Sequence, residues 1–200
     1  PDESPVHAVD VAAFRLGLTA VTNAEYAPFL ESGGTDAPPW WTDPAFCAPG
    51  QPVVGVTWDD ACAFAAWLVQ THGGSWRLPT EAEWEWAARG GLVQAPTAWG
   101  EALPAREIPE GPLEGPWPVG RGVPNGYGLL DMGTIVHEWC ADWYAAYGAE
   151  PPEPEAVARR ASRGGSWRHR VRWSPPSARS SLPPSSRYAD YGFRVLCASG

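Results

Sequence analysis

The sequence predicts a loop-rich α+β fold, and three observations carry that expectation. Thirteen Trp, 22 Gly and 23 Pro among 200 residues favour tight turns over long regular elements. Three segments carry helix start signals, at Thr22, Thr57 and Thr80. Short apolar stretches near both ends of the chain read as strands. A chain of this length is expected to form one domain, residues 1–200, with a sizeable core. It begins at Pro1 with neither Met nor a signal peptide, so it reads as a processed chain or a piece of a longer one.

In chain order, Val6 to Phe14 alternates and predicts a first strand, with Val9 and Val11 on one face. Thr22 caps a helix, Glu25 completes its capping box, and Gly33-Gly34 ends it. Residues 35–51 are rich in Pro and Trp without a period and predict a packed loop. Thr57 caps the second helix, with Asp59 and Asp60 in the first turn where the helix dipole favours them. Ala61, Phe64, Ala65 and Leu68 form its inner face, and Gly73-Gly74 stops it. Residues 92–124 are expected on the surface, and Glu150 to Glu155 reads as an acidic, Pro-rich loop. Leu129 to Tyr144 reads as buried strand and turn. Arg163 to Trp167 and Tyr191 to Leu196 read as closing strands, with residues 168–190 as an exposed excursion between them.

The stretch from Trp76 to Gly91 organises the rest. Thr80 and Glu83 make a capping box and Gly90-Gly91 a left-handed exit. Trp84 with Ala88 and Ala82 with Trp86 lie on different faces, so the helix is expected to be buried on more than one side. Glu81, Glu83 and Glu85 then need partners, and Arg77 and Arg89 are nearest in sequence. The cluster is either a structural linchpin or a set of catalytic acids.

The net charge of −9 is unevenly distributed. Residues 1–158 hold 22 acids and 5 Arg; residues 159–200 hold 9 Arg and one acid, and there is no Lys. Either the C-terminal part presents a basic surface to an acidic or aromatic ligand, or its arginines pair with the acidic part. The overall acidity argues against nucleic-acid binding. The longest apolar run, Ala61 to Val69, is too short to insert across a membrane. Cys47, Cys62, Cys140 and Cys197 have no metal-finger spacing and read as buried free thiols, the alternative being one disulfide. No residue pattern assigns a compartment.

Arg77 to Gly91, reading Arg-Leu-Pro-Thr-Glu-Ala-Glu-Trp-Glu-Trp-Ala-Ala-Arg-Gly-Gly, resembles the signature of the formylglycine-generating enzyme (sulfatase-modifying factor) family. Further segments follow in family order: Val21 to Tyr26, Pro52 to Trp58, Asn125 to Met132, Glu138 to Tyr144, Arg163 to Trp167 and Gly192 to Val195. The resemblance implies that family's fold, related to C-type lectins, with few short helices on small twisted sheets. It also implies copper(I) held by two cysteines in members that oxidise a substrate cysteine. Counted from Ser166, the matching positions here are His169 and Ser174, so neither copper binding nor that oxidation is expected. A non-heme iron oxygenase is disfavoured as well, since His7, His72, His137 and His169 form no HxxxH or HExxH.

The resemblance implies a structural Ca²⁺ held by side-chain oxygens of Asp131 and Glu138 and backbone carbonyls of Thr134 and Val136. The alternative makes Asp131 a turn former and pairs Glu138 with an Arg. The excursion from residue 168 to 191 supplies the candidate binding residues: Arg168, His169, Arg170, Arg172, Trp173, Arg187, Tyr188, Asp190 and Tyr191. Arg, Tyr and Trp dominate binding surfaces, and interspersed Ser adds adaptable hydrogen bonds. The stretch lacks Glu, Gln, Lys and Met, and every residue except Trp173 has a codon ending in C. That resembles the variable region of diversity-generating-retroelement target proteins, although a GC-rich genome favours the same codons. The expected function is a module binding a protein or small molecule through this surface; the alternative is a divergent oxidase or oxygenase of the family, acting on Cys or a sulfur compound.

Overall fold

Three threonines begin the three helices. A computed structural model describes residues 3–101, 104, 113–149, 158–169 and 175–198. Its elements are β1 (Phe14–Leu16), α1 (Asn23–Glu31), α2 (Trp58–His72), β2 (Trp76–Arg77), α3 (Glu81–Arg89), β3 (His137–Trp143), β4 (Arg160–Arg163), β5 (Arg179–Leu182), β6 (Tyr191–Gly192) and β7 (Leu196–Ala198). Before each helix an extended Thr accepts the N–H of the third helical residue. The carboxylate of that residue, Glu25, Asp60 or Glu83, accepts the threonine N–H in return. Each box satisfies two donors that the first turn cannot pair internally. Gly90 closes α3 at φ +56°, where a Cβ would stand 2.7 Å from the Gly126 nitrogen, so only glycine fits.

The strands form two small sheets. In the first, β7 lies between β1 and β2 and is antiparallel to both, so Cys197 faces Arg15 on one side and Trp76 on the other. In the second the order is β5-β4-β3-β6, with β6 parallel to β3 through His137–Tyr191 and Glu138–Gly192. Between the helices and sheets, Tyr26, Phe64 and Phe193 pack ring against ring, and Trp139 is fully buried with its indole N–H on the Val56 carbonyl.

Several expectations about the elements need correction: the closing strand expected over Arg163 to Trp167 lies at Arg160–Arg163, and Tyr191 to Leu196 divides between β6 and β7 of different sheets. Of the first strand expected over Val6 to Phe14, only Phe14 pairs, as the first residue of β1 (Phe14–Leu16); the segment before it has no ladder partner, and Val6 and Val9 are exposed. The excursion 168–190 is not wholly exposed, because it contributes β5 to the second sheet in register with β4. Trp86 is half exposed, stacked on Tyr127 at 4.5 Å, while Trp84 is fully buried, so α3 has one buried indole and one at the surface. The acidic loop from Glu150 to Glu155 lies outside the described residues.

The divided charge resolves largely into long-range pairing. Glu81 accepts from Arg163 Nε at 2.9 Å and Arg179 Nε at 2.7 Å, and Arg163 also reaches Glu85. Arg187 pairs with Asp60 and Arg194 with Glu138. The sequence neighbours fill the other sites on α3, Arg77 binding Glu83 and Arg89 binding Glu85. The carboxylates of α3 are thus a structural linchpin. All four cysteines are free, as expected, but only Cys140 is fully buried and Cys47 is exposed. Burial pushes the Cys62 thiol up to about 12, which keeps it protonated and unreactive.

Candidate binding surface

The turn after β4 builds the surface. Gly164 adopts φ +77°, and a Cβ there would meet the Gly133 Cα at 2.9 Å and the Trp84 ring at 3.1 Å, so both the conformation and the space require glycine. Trp167 is then pinned on both sides, its backbone N–H on the Ile135 carbonyl and its indole N–H on the Ala189 carbonyl. The turn closes through His169 N–H on the Ser166 carbonyl at 2.8 Å. Anchored this way, Arg168 and His169 point to solvent.

Beneath them lies a buried polar floor. The Ser166 hydroxyl donates to Asp190 Oδ2 at 3.1 Å and in turn stands 3.4 Å from His169 Nδ1. Since the hydroxyl proton is committed to Asp190, Ser166 acts as acceptor toward His169, which places a proton on Nδ1 of that ring. Arg168 Nε is 3.9 Å from the same Asp190 oxygen, a loose pair across a half-exposed side chain. The His137 ring sits between His169 and Tyr191, with centres 5.2 and 4.8 Å away. His137 Nδ1 meets the Gly164 carbonyl at 2.7 Å, so that nitrogen carries the proton. Burial holds the His137 pKa below the ordinary histidine value, so this ring stays neutral at pH 7.

Of the residues expected to bind ligand, Arg168, His169 and Tyr188 are exposed. Asp190 and Tyr191 are buried instead, for a reason that lies in β6. Parallel pairing with β3 turns Tyr191 inward, where it packs on Trp139 and its hydroxyl meets Ser180 at 3.1 Å. Burial raises its pKa accordingly. Arg187 is a scaffold contact, reaching the Gly55 carbonyl at 2.9 Å and Asp60 at 2.8 Å. Arg170, Arg172 and Trp173 lie outside the described residues. His137 was not among the expected binding residues, and no spacing in the sequence links it to His169.

The calcium ligands implied by the resemblance do not fit a cation here. Glu138 is fully buried, its oxygens taken by Arg194 Nε at 2.6 Å and a second Arg194 nitrogen at 2.8 Å, with the Trp84 indole N–H at 2.6 Å. A guanidinium in that position repels a divalent ion and leaves no free carboxylate. Asp131 is a turn former at φ +58°, with Thr134 N–H on its carbonyl and its side chain accepting the Gly120 N–H. Val136 is fully buried, and Thr134 donates its hydroxyl to the Asp131 carbonyl. Burial raises the Asp131 pKa. Among the described residues no helix is long and apolar enough to cross a membrane.

Known proteins share this architecture. The family described as sulfatase-modifying factor enzyme 1-like domain matches residues 1–199. A formylglycine-generating enzyme of Streptomyces coelicolor is 34% identical over 268 aligned positions, which cover 98% of this chain and 81% of that one. The alignment is longer than this chain's 200 residues, so the relative carries insertions. The structure of PvdO from Pseudomonas aeruginosa superposes with a TM-score of 0.83 at 29% identity, covering 100% of this chain and 86% of that one. Treponema denticola variable protein 1 superposes with a TM-score of 0.75 at 26% identity, covering 92% and 84%. With the signature on α3, the two small sheets and a family match over nearly its whole length, this chain belongs to the sulfatase-modifying factor (formylglycine-generating enzyme) family.

Proposed function

We propose that this chain is a ligand-binding module, with Arg168, His169 and Tyr188 as its described contact residues. One observation carries the reading: these three side chains are exposed while Ser166, Trp167, Asp190 and Tyr191 are buried and held by the scaffold, Ser166 on Asp190, the Trp167 indole on the Ala189 carbonyl and the Tyr191 hydroxyl at Ser180. Such an arrangement lets the outer residues vary without disturbing the scaffold. The likeness to a Treponema variable protein supports it, as does the composition of residues 168–191. The ligand is a protein or small molecule able to use guanidinium, imidazole and phenol contacts.

The test combines stability and binding. Replacing Arg168 and His169 by Ala and Tyr188 by Ser together is expected to keep the melting temperature within a few degrees, since exposed substitutions change stability by less than about 0.5 kcal/mol each. A random-peptide phage library selected on the native chain should yield binders that lose affinity for the triple variant. Binders indifferent to the three changes, or a variant that unfolds, would remove this surface from consideration.

The 34% identity to a formylglycine-generating enzyme favours one second reading, an oxidase. Here His169 and Ser174 stand at the positions of the two thiols, and an imidazole with a hydroxyl does not reproduce the soft dithiolate that holds copper(I). Incubating a Cys-containing sulfatase peptide with the chain, copper and oxygen is expected to leave the cysteine intact by mass spectrometry. Appearance of formylglycine would return the chain to the oxidases.

A further inference from the structure

Two imidazoles that the chain separates by more than thirty positions come together at the edge of the binding surface. Their ring centres are 5.2 Å apart and their planes are inclined at 67°. Each ring is oriented through Nδ1 alone. His137 donates to the Gly164 carbonyl, and His169 faces the Ser166 hydroxyl that is committed to Asp190. Among the described residues neither Nε2 has a protein partner. Metal-ligating histidines are characteristically held in this way, with the non-ligating nitrogen donating to a carbonyl or toward a carboxylate. Two imidazoles bound to one tetrahedral ion at about 2.0–2.1 Å per nitrogen have ring centres about 5 Å apart.

We propose that His137 and His169 form an open, two-histidine site for a borderline divalent transition-metal ion, with Nε2 of each ring as ligand. No group of three or more His, Cys, Asp and Glu converges among the described residues, so the remaining coordination positions belong to water or to a bound ligand. Asp190 stands behind the site through Ser166 and offsets the charge of Arg168, which lies 3.9 Å from it. Buried Asp190 therefore acts as an orienting partner to His169 rather than as a ligand. The site differs from the calcium ligands around Asp131 in residues and in donor chemistry. It does not depend on what the surface recognises, because the ion is titrated without any other ligand.

The test is calorimetric titration of the native chain with Zn²⁺, alongside His137→Asn, His169→Ala, His72→Ala and Cys47→Ser. The His137→Asn change keeps an amide donor for the Gly164 carbonyl, and His169 is exposed, so the two variants fail independently if either disturbs folding. One ion per chain is expected, with affinity reduced at least about tenfold in both His137→Asn and His169→Ala. The His72 and Cys47 variants should bind as the native chain does. In imidazole nitrogen NMR spectra, Zn²⁺ should shift Nε2 of both rings together. Absence of binding, binding insensitive to either histidine, or binding lost with Cys47→Ser would overturn the site. None of those outcomes bears on the peptide selection above.

Discussion

Replacing Arg194 by alanine is expected to cost about 3–5 kcal/mol of stability, a large fraction of the roughly 5–15 kcal/mol that holds a domain folded. Arg194 and Glu138 are both fully buried. The guanidinium makes two contacts to the carboxylate and three more to the carbonyls of Gly17, Leu18 and Leu130. Truncation leaves the Glu138 carboxylate in the interior with the Trp84 indole as its remaining side-chain partner, and it removes the guanidinium from the Gly17 and Leu130 carbonyls, while the Leu18 carbonyl keeps the Leu130 N–H. Lysine is no substitute, since one ammonium cannot span a carboxylate and three carbonyls at once. Urea unfolding followed by circular dichroism measures the loss. A midpoint shift equivalent to less than about 1 kcal/mol would mean that Glu138 takes up a proton or water instead.

Glu81→Ala is the second large effect, again about 3–5 kcal/mol. This single carboxylate serves two guanidiniums whose side chains are only 1% and 2% exposed, those of Arg163 and Arg179. Arg163 keeps Glu85 and the Tyr147 hydroxyl, and Arg179 keeps the Tyr147 ring and the Ala145 carbonyl. Two buried positive charges then stand together with less compensation. Because Arg179 opens β5, amide exchange at residues 179–182 should rise more than the global change requires. Uniform protection loss across the domain would show that Glu81 does not hold that strand specifically. A double-mutant cycle with Arg179→Ala separates the pair from the rest of the network.

The helix caps were legible because their partners stand three residues apart, and the Arg77–Glu83 and Arg89–Glu85 pairs because they too are local. The sequence shows that Glu81 needs a partner, yet its arginines lie 82 and 98 residues away, where no pattern in the sequence reaches. The two indoles of α3 lie on different faces of the helix, and the sequence alone predicts burial for both. Only the sheet decides that Trp84 faces Glu138 and Trp86 faces Tyr127. Tyr191 resembled an exposed binding residue by type and neighbourhood. Its burial follows from parallel pairing with β3, a non-local event. The alternative that paired Glu138 with an arginine is the one the fold adopts, through Arg194. His137 and His169 share no recognisable spacing; the pairing of β3 with β4 and the turn that follows at Gly164 bring them together.

The position of β7 has a consequence for how the chain is made. Synthesis proceeds from the N-terminus, so β1 and β2 leave the ribosome well before the strand that joins them. Until residues 194–198 emerge, those two strands lack their common ladder partner and Glu138 lacks its guanidinium. A nascent chain stalled short of Arg194 therefore exposes two strand edges and has reason to keep the carboxylate hydrated. The helices, closed by local caps, can form early, but the domain as a unit completes only after its last strand is released. Chaperone dependence should fall abruptly once that strand clears the exit tunnel.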